Sequence, residues 1–172
     1  MHILIIGGAG MVGRKLLAGL ARDGALNGRA ITQVTVHDVV AGETRAGASF
    51  QTRLVVSDLS LPGEAAKLVA ARPDVIFHLA AIVSGEAEAD FEKGYRINFD
   101  GTRALFEAIR RVGDGYCPRL VFTSSIAVYG APFPDAIGDE FFHTPLTSYG
   151  TQKAIGELLL SDYTRRGFFD GV

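Results

Sequence analysis

The sequence feature that most constrains the fold is a glycine-rich turn close to the N-terminus. A short apolar run, residues 3–6, leads directly into Gly7, and further glycines follow at Gly10 and Gly13. An apolar, β-branched run of this length predicts a buried strand. Apolar residues at helical spacing across residues 11–23 predict a helix immediately after the turn. The N-terminus is therefore expected to form a strand, a tight turn and a helix.

The same turn is a candidate phosphate cradle. Glycines let the backbone approach a phosphate closely, and the unpaired N–H groups of a helix N-terminus attract its negative charge. The alternative is a tight strand-to-helix turn that binds no ligand. The candidate contacts for a pyrophosphate are Gly7, Gly10, Met11, Val12 and Gly13.

The second predicted strand, residues 31–37, ends in Asp38. A carboxylate at this strand tip can accept hydrogen bonds from both ribose hydroxyls of an adenosine, and it repels a 2′-phosphate. The position therefore favours NAD over NADP. No arginine follows immediately to reverse this preference, although Arg45 lies further along the loop. An acidic residue at a strand end is otherwise a common turn former, and that alternative stays open.

The remainder of the chain alternates between strand and helix patterns, which predicts parallel βαβ units. The fold class is therefore α/β, a doubly wound parallel sheet with right-handed crossovers. The predicted strands are residues 52–57, 74–79 and 119–124, and the predicted helices are residues 62–72, 90–112 and 148–166. Residues 80–89 and 130–147 are predicted to be loops.

In such sheets ligands bind outside the carboxyl ends of the strands, where several further candidates fall. Ala80 and Ala81 are small enough for a flat cofactor to pass closely, although ordinary packing explains small residues equally well. Asp58 is a candidate acceptor for an adenine amino group, or a cap for its own loop. The cofactor candidates at these strand ends are Asp58, Leu59, Leu79, Ala80, Ala81 and Thr123, with Ser124 and Ser125 beside them.

Tyr149 and Lys153 are four residues apart in a predicted helix. This spacing puts the phenol and the ammonium on one face of the helix. A nearby cation and the positive end of the helix dipole both favour an ionised phenol. Tyr149 is thus a candidate proton-transfer residue for interconverting an alcohol and a carbonyl.

A polar residue, Asn98, lies on the apolar face of the long predicted helix. Its apolar stripe consists of Phe91, Tyr95, Thr102, Leu105, Phe106 and Ile109, and Asn98 lies on the same stripe. A buried amide is costly unless it is paired. Asn98 is therefore expected either to bond neighbouring backbone or to help fix an active site or cofactor.

Composition limits the classes of function. With 172 residues, 48% of them hydrophobic, the chain suits one globular domain over residues 1–172. A net charge of −2 gives no electrostatic reason to expect nucleic acid or an anionic membrane as a partner. The single cysteine, Cys117, and the lack of a long apolar run favour a cytoplasmic protein. The four histidines are widely separated, so we expect no metal site.

Taken together, the motifs resemble the extended short-chain dehydrogenase/reductase family, which includes NAD-dependent epimerases and dehydratases. The resemblance covers nearly the whole chain and keeps the family's order of motifs. One departure is Ile6, where the family usually has threonine. The matching segments are the three glycines 7, 10 and 13 and residues 58–59, 78–81, 98–102, 124–130 and 149–153.

The resemblance implies roles for individual residues. Tyr149 would be the general acid/base, and Lys153 would promote its ionisation while holding the nicotinamide ribose of NAD. Ser125 would bind the reacting oxygen of the substrate, and Asn98 would lie near the nicotinamide. Residues 80–88, 139–142, 145–153 and 165–172 look most like the branch of the family that oxidises D-erythronate, a four-carbon sugar acid.

This branch implies that Ser84, together with Ser125 and Tyr149, contacts the sugar acid, although Ser84 also fits an ordinary surface loop. A sugar-nucleotide epimerase or dehydratase is the alternative function, and a nucleotide sensor without catalysis is a third. Extended family members continue for about as many residues again. We therefore expect that the C-terminal substrate lobe is missing, and that this chain binds NAD weakly at best and turns over poorly. The family also implies a homodimer through the two long helices.

Overall fold

The computed structural model describes all residues, 1–172, and has a six-stranded parallel sheet at its centre. The strands of this sheet are β1 (His2–Ile6), β4 (Gln33–Asp38), β5 (Gln51–Val56), β6 (Val75–His78), β7 (Arg119–Phe122) and β8 (Asp170–Gly171). A separate two-stranded hairpin consists of β2 (Ala25–Leu26) and β3 (Arg29–Ala30). The predicted α/β class with a doubly wound parallel sheet is confirmed.

The strand order is β5-β4-β1-β6-β7-β8, so the chain leaves the central strand β1 first to one side and later to the other. Strand β1 pairs with β4 at Ile3–Val34 and with β6 at Ile3–Val75. Its four apolar residues, Ile3 to Ile6, are fully buried, as expected of a strand covered on both faces. The change of direction leaves a crevice at the carboxyl ends of β1, β4 and β6, where ligands bind in open α/β sheets.

Helices cover both faces of the sheet. They are α1 (Met11–Asp23), α2 (Glu64–Val69), α3 (Ser84–Ala89), α4 (Phe91–Gly94), α5 (Gly101–Val112) and α6 (Ser148–Arg165). A π-helix, Tyr95–Asp100, joins α4 to α5, and a 3₁₀ turn, Ile126–Val128, follows β7. On one face α1 packs through Leu17 and Leu20; on the other, α5 packs through Leu105 and Phe106.

Several predicted boundaries are wrong. The helix predicted over residues 90–112 is interrupted by the π-helix, and the loop predicted over residues 80–89 contains α3. Phe91, assigned to the buried stripe, is 58% exposed, because the wider π turn rotates the residues before it relative to α5. The helix predicted over residues 62–72 is shorter, spanning Glu64–Val69.

Three short elements were not predicted: the hairpin, the 3₁₀ turn and β8. The two hairpin strands and β8 have only two residues each, too few for a periodic pattern to form. Residues around β8 matter for the core all the same, because Phe169 is 1% exposed and contacts Phe106 edge to face. No helix of the chain is long and apolar enough to span a bilayer.

Candidate active site at the carboxyl ends of the strands

The glycine turn begins where β1 ends and is held against β4 by its backbone. The N–H groups of Gly7 and Gly8 both donate to the His37 carbonyl, at 2.9 and 3.0 Å. Gly7 has φ +87°, a conformation that other residues rarely adopt. Gly10 then caps α1 without any side-chain hydrogen bond. The first N–H groups of α1 therefore stay free to receive a ligand.

The three motif glycines serve different purposes. A Cβ on Gly13 would lie 2.4 Å from the Gly7 carbonyl oxygen, and a Cβ on Gly7 would lie 2.6 Å from the Ala80 nitrogen. A Cβ on Gly10 would meet only the Gly7 oxygen, at 3.3 Å. Gly7 and Gly13 are thus required by packing within the turn and against the segment after β6. Gly10 lies at the exposed helix start, next to Met11 and Val12, which are 65% and 53% exposed.

Asp38 lies at the tip of β4, beside the glycine turn. Its Oδ2 accepts from the Ala9 N–H at 2.9 Å, and its Oδ1 accepts from the Val39 N–H at 2.8 Å. These bonds fix the carboxylate next to the turn, so the two predicted adenosine-side elements do meet. Asp38 also forms the turn that was its alternative role. Arg45 donates to the Arg14 carbonyl at 3.5 Å and so lies against α1.

The segment after β5 is held by polar contacts within the protein. Asp58 Oδ1 accepts from the Ser60 N–H at 2.9 Å, and Oδ2 accepts from Arg96 at 2.7 Å. Burial alone would raise the pKa of Asp58, but these hydrogen bonds outweigh it and lower the pKa. These contacts are those of a loop-capping residue, and the contact of Asp58 with adenine stays a prediction. Leu59 is 7% exposed and belongs to the core.

Residues after β6 continue the crevice from the glycine turn. The Leu79 N–H donates to the Ile6 carbonyl at 2.8 Å, which extends the pairing of β6 with β1. The Ala80 backbone contacts Gly7 so closely that Gly7 has no room for a side chain. Ala80 and Ala81 are half-buried, and Ser84 begins α3 three residues later. Small residues at this position keep the crevice beside the turn open.

Lys153 is the most constrained charged group of the site. It is only 3% exposed, and its Nζ donates to the Thr123 carbonyl at 2.9 Å. The ammonium also lies 4.8 Å from the Phe122 ring centroid and 5.8 Å from that of Tyr149. Burial lowers the pKa of Lys153 to about 8. A cation is thus fixed next to the Tyr149 ring at the end of β7.

Tyr149 and Ser125 are carried by elements in direct contact. Thr147 caps α6 by accepting from the Gly150 N–H at 3.0 Å, which places Tyr149 in the first helical turn. A Cβ on Gly150 would lie only 2.1 Å from the Ala127 carbonyl oxygen, so α6 begins against the 3₁₀ turn. Ser125 caps that turn by accepting from the Ala127 N–H at 3.2 Å. The three predicted catalytic residues therefore lie on adjoining segments at one edge of the sheet.

Ser124, the neighbour that the sequence could not separate from Ser125, makes a different contact. Its hydroxyl donates to Glu157, whose other carboxylate oxygen lies 3.2 Å from His143 Nε2. The sequence did not indicate that Glu157 and His143 would be partners. Nothing in the sequence predicts these contacts, because they join Glu157 on α6 to residues that are far from it along the chain. The Ser124 hydroxyl is engaged there, whereas the Ser125 hydroxyl accepts from the Ala127 N–H, and Ser125 stays the predicted hydroxyl of the site.

Asn98 is buried and fully paired. Its Oδ1 accepts from the Ile82 N–H at 2.9 Å, and its Nδ2 donates to the Ile82 carbonyl at 3.0 Å and to Gln152 at 2.8 Å. Bonding to neighbouring backbone was one of the two roles expected of Asn98. It nonetheless links the π-helix to the segment after β6, at the edge of the crevice.

A buried histidine beneath the site is held neutral. Burial lowers the pKa of His78 to about 3. Thr102 donates its own hydroxyl hydrogen to the Asn98 carbonyl at 2.7 Å, so His78 Nε2 is the donor in its 2.9 Å bond to Thr102. His78 is therefore a structural residue of the core. No three His, Cys, Asp or Glu side chains converge as a metal site would require.

Comparison with known proteins identifies the family. Residues 3–172 match the NAD dependent epimerase/dehydratase family. The chain belongs to this family. Membership confirms the predicted family. It also agrees with NAD as the family's cofactor.

Individual members of the family give closer comparisons. The D-erythronate dehydrogenase of Cupriavidus necator is 49% identical over 99% of this chain and 53% of its own length. The crystal structure of a nucleoside-diphosphate-sugar epimerase from Agrobacterium tumefaciens is 68% identical, with a TM-score of 0.98 over 100% of this chain and 51% of its own. A Thermus thermophilus UDP-glucose 4-epimerase in complex with NAD has a TM-score of 0.81 at 26% identity, over 99% of this chain and 53% of its own. The chain thus spans about half the length of these relatives.

Proposed function

We propose that this chain is the NAD-binding part of an NAD-dependent dehydrogenase that oxidises a hydroxyl group of a small, D-erythronate-like sugar acid. The observation that carries the proposal is the buried Lys153, fixed beside Tyr149 at the same sheet edge as the glycine turn. The similarity to a D-erythronate dehydrogenase over nearly the whole chain supports the substrate class.

The residues at the first strand ends fit the two negatively charged phosphates of NAD. The free N–H groups at the start of α1, around Met11, Val12 and Gly13, would bind the pyrophosphate, and Gly10 leaves them accessible. Asp38 would accept from the adenosine ribose and reject a 2′-phosphate. We therefore propose that the chain prefers NAD to NADP.

At the other end of the crevice the proposed chemistry is proton transfer. Tyr149 would take the proton of the substrate hydroxyl through its phenolate oxygen, and Ser125 would donate a hydrogen bond to that same substrate oxygen. The Lys153 ammonium, 5.8 Å from the centroid of the Tyr149 ring, would hold a positive charge beside the site of proton transfer. NAD, when bound, accepts the hydride that leaves the substrate carbon. Lys153, Asn98 and Thr123 would border the nicotinamide ribose, and Ser84 would contact the sugar acid.

A binding titration with matched cofactors tests the first part of this proposal. Isothermal titration of the chain with NAD and with NADP should give the tighter dissociation constant for NAD. Tight NADP binding with no detectable NAD binding would contradict the proposal. A form of the protein that spans the full length of its relatives should produce NADH when it is mixed with NAD and D-erythronate, seen as a rise in ultraviolet absorbance.

A sugar-nucleotide epimerase is the second candidate, because a 68% identical structure is described as a nucleoside-diphosphate-sugar epimerase. An epimerase would use the same Ser125, Tyr149 and Lys153 but return the hydride to its substrate. It would therefore convert a nucleotide sugar with no net gain of NADH. Parallel assays with D-erythronate and with UDP-glucose separate the two candidates.

We also propose that the protein forms a homodimer through the helical layer of α4, α5 and α6, and that it works in the cytoplasm. Phe91 on α4 and Leu158 on α6 support the dimer, since both are large apolar side chains, 58% and 67% exposed. Sedimentation velocity should show a dimer that the Phe91→Ser and Leu158→Ser changes dissociate. A monomer at high protein concentration would contradict this interface.

A further inference from the structure

Two buried amide side chains meet between the π-helix and α6. Asn98 is 4% exposed and Gln152 is 1% exposed, and Asn98 Nδ2 donates to Gln152 Oε1 at 2.8 Å. The residues are far apart in sequence, so this contact joins two separate parts of the chain. Gln152 also directly precedes Lys153. The pair therefore connects the helix that carries the predicted catalytic residues with the π-helix.

The orientation of both amides is determined by the backbone of Ile82. The Ile82 N–H needs an acceptor and the Ile82 carbonyl needs a donor, and Asn98 supplies both in one orientation only. Rotating the Asn98 amide by half a turn would set like groups against each other. The second hydrogen of Asn98 Nδ2 then points at Gln152, which must present its oxygen.

The other half of the Gln152 amide has no partner. Gln152 Nε2 is buried without a hydrogen bond, and Gly94 makes room for it: a Cβ on Gly94 would lie 2.9 Å away. A buried, unpaired N–H group is unfavourable, and an apolar side chain of similar size would avoid it. What glutamine contributes at this position is therefore its oxygen, as the acceptor for Asn98.

We propose that Gln152 is a positioning residue that holds Asn98 in its bidentate contact with Ile82. Through Asn98 it fixes the backbone between β6 and α3, the segment that contains Ala80 and Ala81 and ends at Ser84. This inference rests on the proposed function, in which that segment borders NAD and the sugar acid. It adds a link from α6, where Tyr149 and Lys153 lie, to the opposite wall of the crevice.

Hydrogen exchange at the Ile82 amide tests the link without any ligand. Because Asn98 Oδ1 is the acceptor of this N–H, losing the Asn98 orientation should expose it. In the Gln152→Met variant, NMR should show Ile82 exchanging about fivefold faster or more, the effect of losing one hydrogen bond. Amides of β1 in the core should keep their rates. The control is Leu159→Met, a similar change elsewhere on α6, which should leave Ile82 unaffected.

Gly94→Ala provides a second test that leaves α6 unchanged. The new methyl group would displace the end of the Gln152 side chain, and it should accelerate Ile82 exchange in the same way. An unchanged Ile82 rate in folded Gln152→Met overturns the proposal, as does equal acceleration of every core amide. If Gln152→Met does not fold, Gly94→Ala alone decides by the same criteria.

The same samples separate this inference from the proposed function. The exchange measurement needs no NAD, whereas the proposed function fails if wild-type protein does not bind NAD in a titration. If Ile82 exchanges faster in both variants and the wild-type protein does not bind NAD, the Gln152 link is supported and the proposed function is refuted. Normal NAD binding with an unaltered Ile82 rate would refute the link alone.

Discussion

The two ends of the crevice are built in different ways. At the end proposed to bind adenosine, called the adenosine end, the first backbone N–H groups of α1 follow a glycine turn, and the important positions are close together in sequence. At the end proposed to transfer the proton, called the reactive end, two buried side chains of α6 contact other parts of the chain. Gln152 accepts from Asn98 of the π-helix, and Lys153 donates to the Thr123 carbonyl after β7. A backbone site depends on a few glycines that keep space open. A side-chain site depends on long-range packing that holds a charge out of water.

The comparison predicts that each end can be damaged without the other. In a form of the protein that spans the full length of its relatives, Tyr149→Phe removes the hydroxyl proposed to transfer the proton, so the rate of NADH formation should fall by about 10²- to 10⁴-fold. The NAD dissociation constant should change little, because the adenosine end is untouched. Stopped-flow absorbance and calorimetry on the same samples measure the two quantities. Equal loss of binding and rate would show that the ends are not separable.

A change inside the glycine turn should act on folding as well as on binding. The Gly13→Ala methyl group would overlap the Gly7 carbonyl, and we expect it to lower the free energy of unfolding by about 3 kcal/mol. Gly10→Ala is the matched control, since its methyl group has more room, and it should cost about 1 kcal/mol as a poorer helix cap. Urea denaturation measures both. Similar values for the two variants would contradict the assigned roles.

The buried cation at the reactive end should make stability depend on pH. The pKa of Lys153 is about 8 in the folded protein, below its usual value, because burial disfavours the charge. Between that pKa and the higher pKa in the unfolded chain, the unfolded state binds more protons, so stability should rise with pH. The gain contributed by Lys153 should approach about 3 kcal/mol.

Lys153→Met isolates this contribution, because methionine fills similar space without a charge. Urea denaturation of both proteins at pH 7.5 and pH 10 gives the change in the free energy of unfolding between the two pH values for each protein. The wild-type protein should gain stability relative to the variant as pH rises. A difference that stays constant over this range would mean that Lys153 is not titrating from a buried position.

The smallest expected effect is on cofactor choice at the adenosine end. Asp38→Ala removes the carboxylate proposed to bind the ribose, and NAD affinity should fall about tenfold, the loss of one charge-assisted hydrogen bond. NADP affinity should fall less or rise, since the repulsion of its 2′-phosphate is removed. Asp162→Ala, an exposed change on α6, is the control in the calorimetric titration. An unchanged ratio of the two affinities would assign Asp38 to turn formation only.

The difference between the two ends also explains what the sequence could predict. The spacing of Gly7, Gly10 and Gly13 predicted the turn, because the positions that a tight turn needs are close together in sequence. Lys153 and Tyr149 were found through their helical spacing and a family resemblance. Gln152 was missed, because nothing near it in sequence indicates that Asn98 will lie beside it. The π-helix was missed for a similar reason: its extra residue per turn changes the helical pattern only slightly.

One measurement tests the central claim, that a single NAD molecule spans both ends of the crevice. In an NMR titration of the ¹⁵N-labelled chain, NAD should shift the amides of Met11, Val12 and Gly13 and those of Thr123 and Ser125 with one dissociation constant. AMP should shift only the adenosine-end amides. Shifts confined to one end with NAD, or two different dissociation constants, would contradict the account.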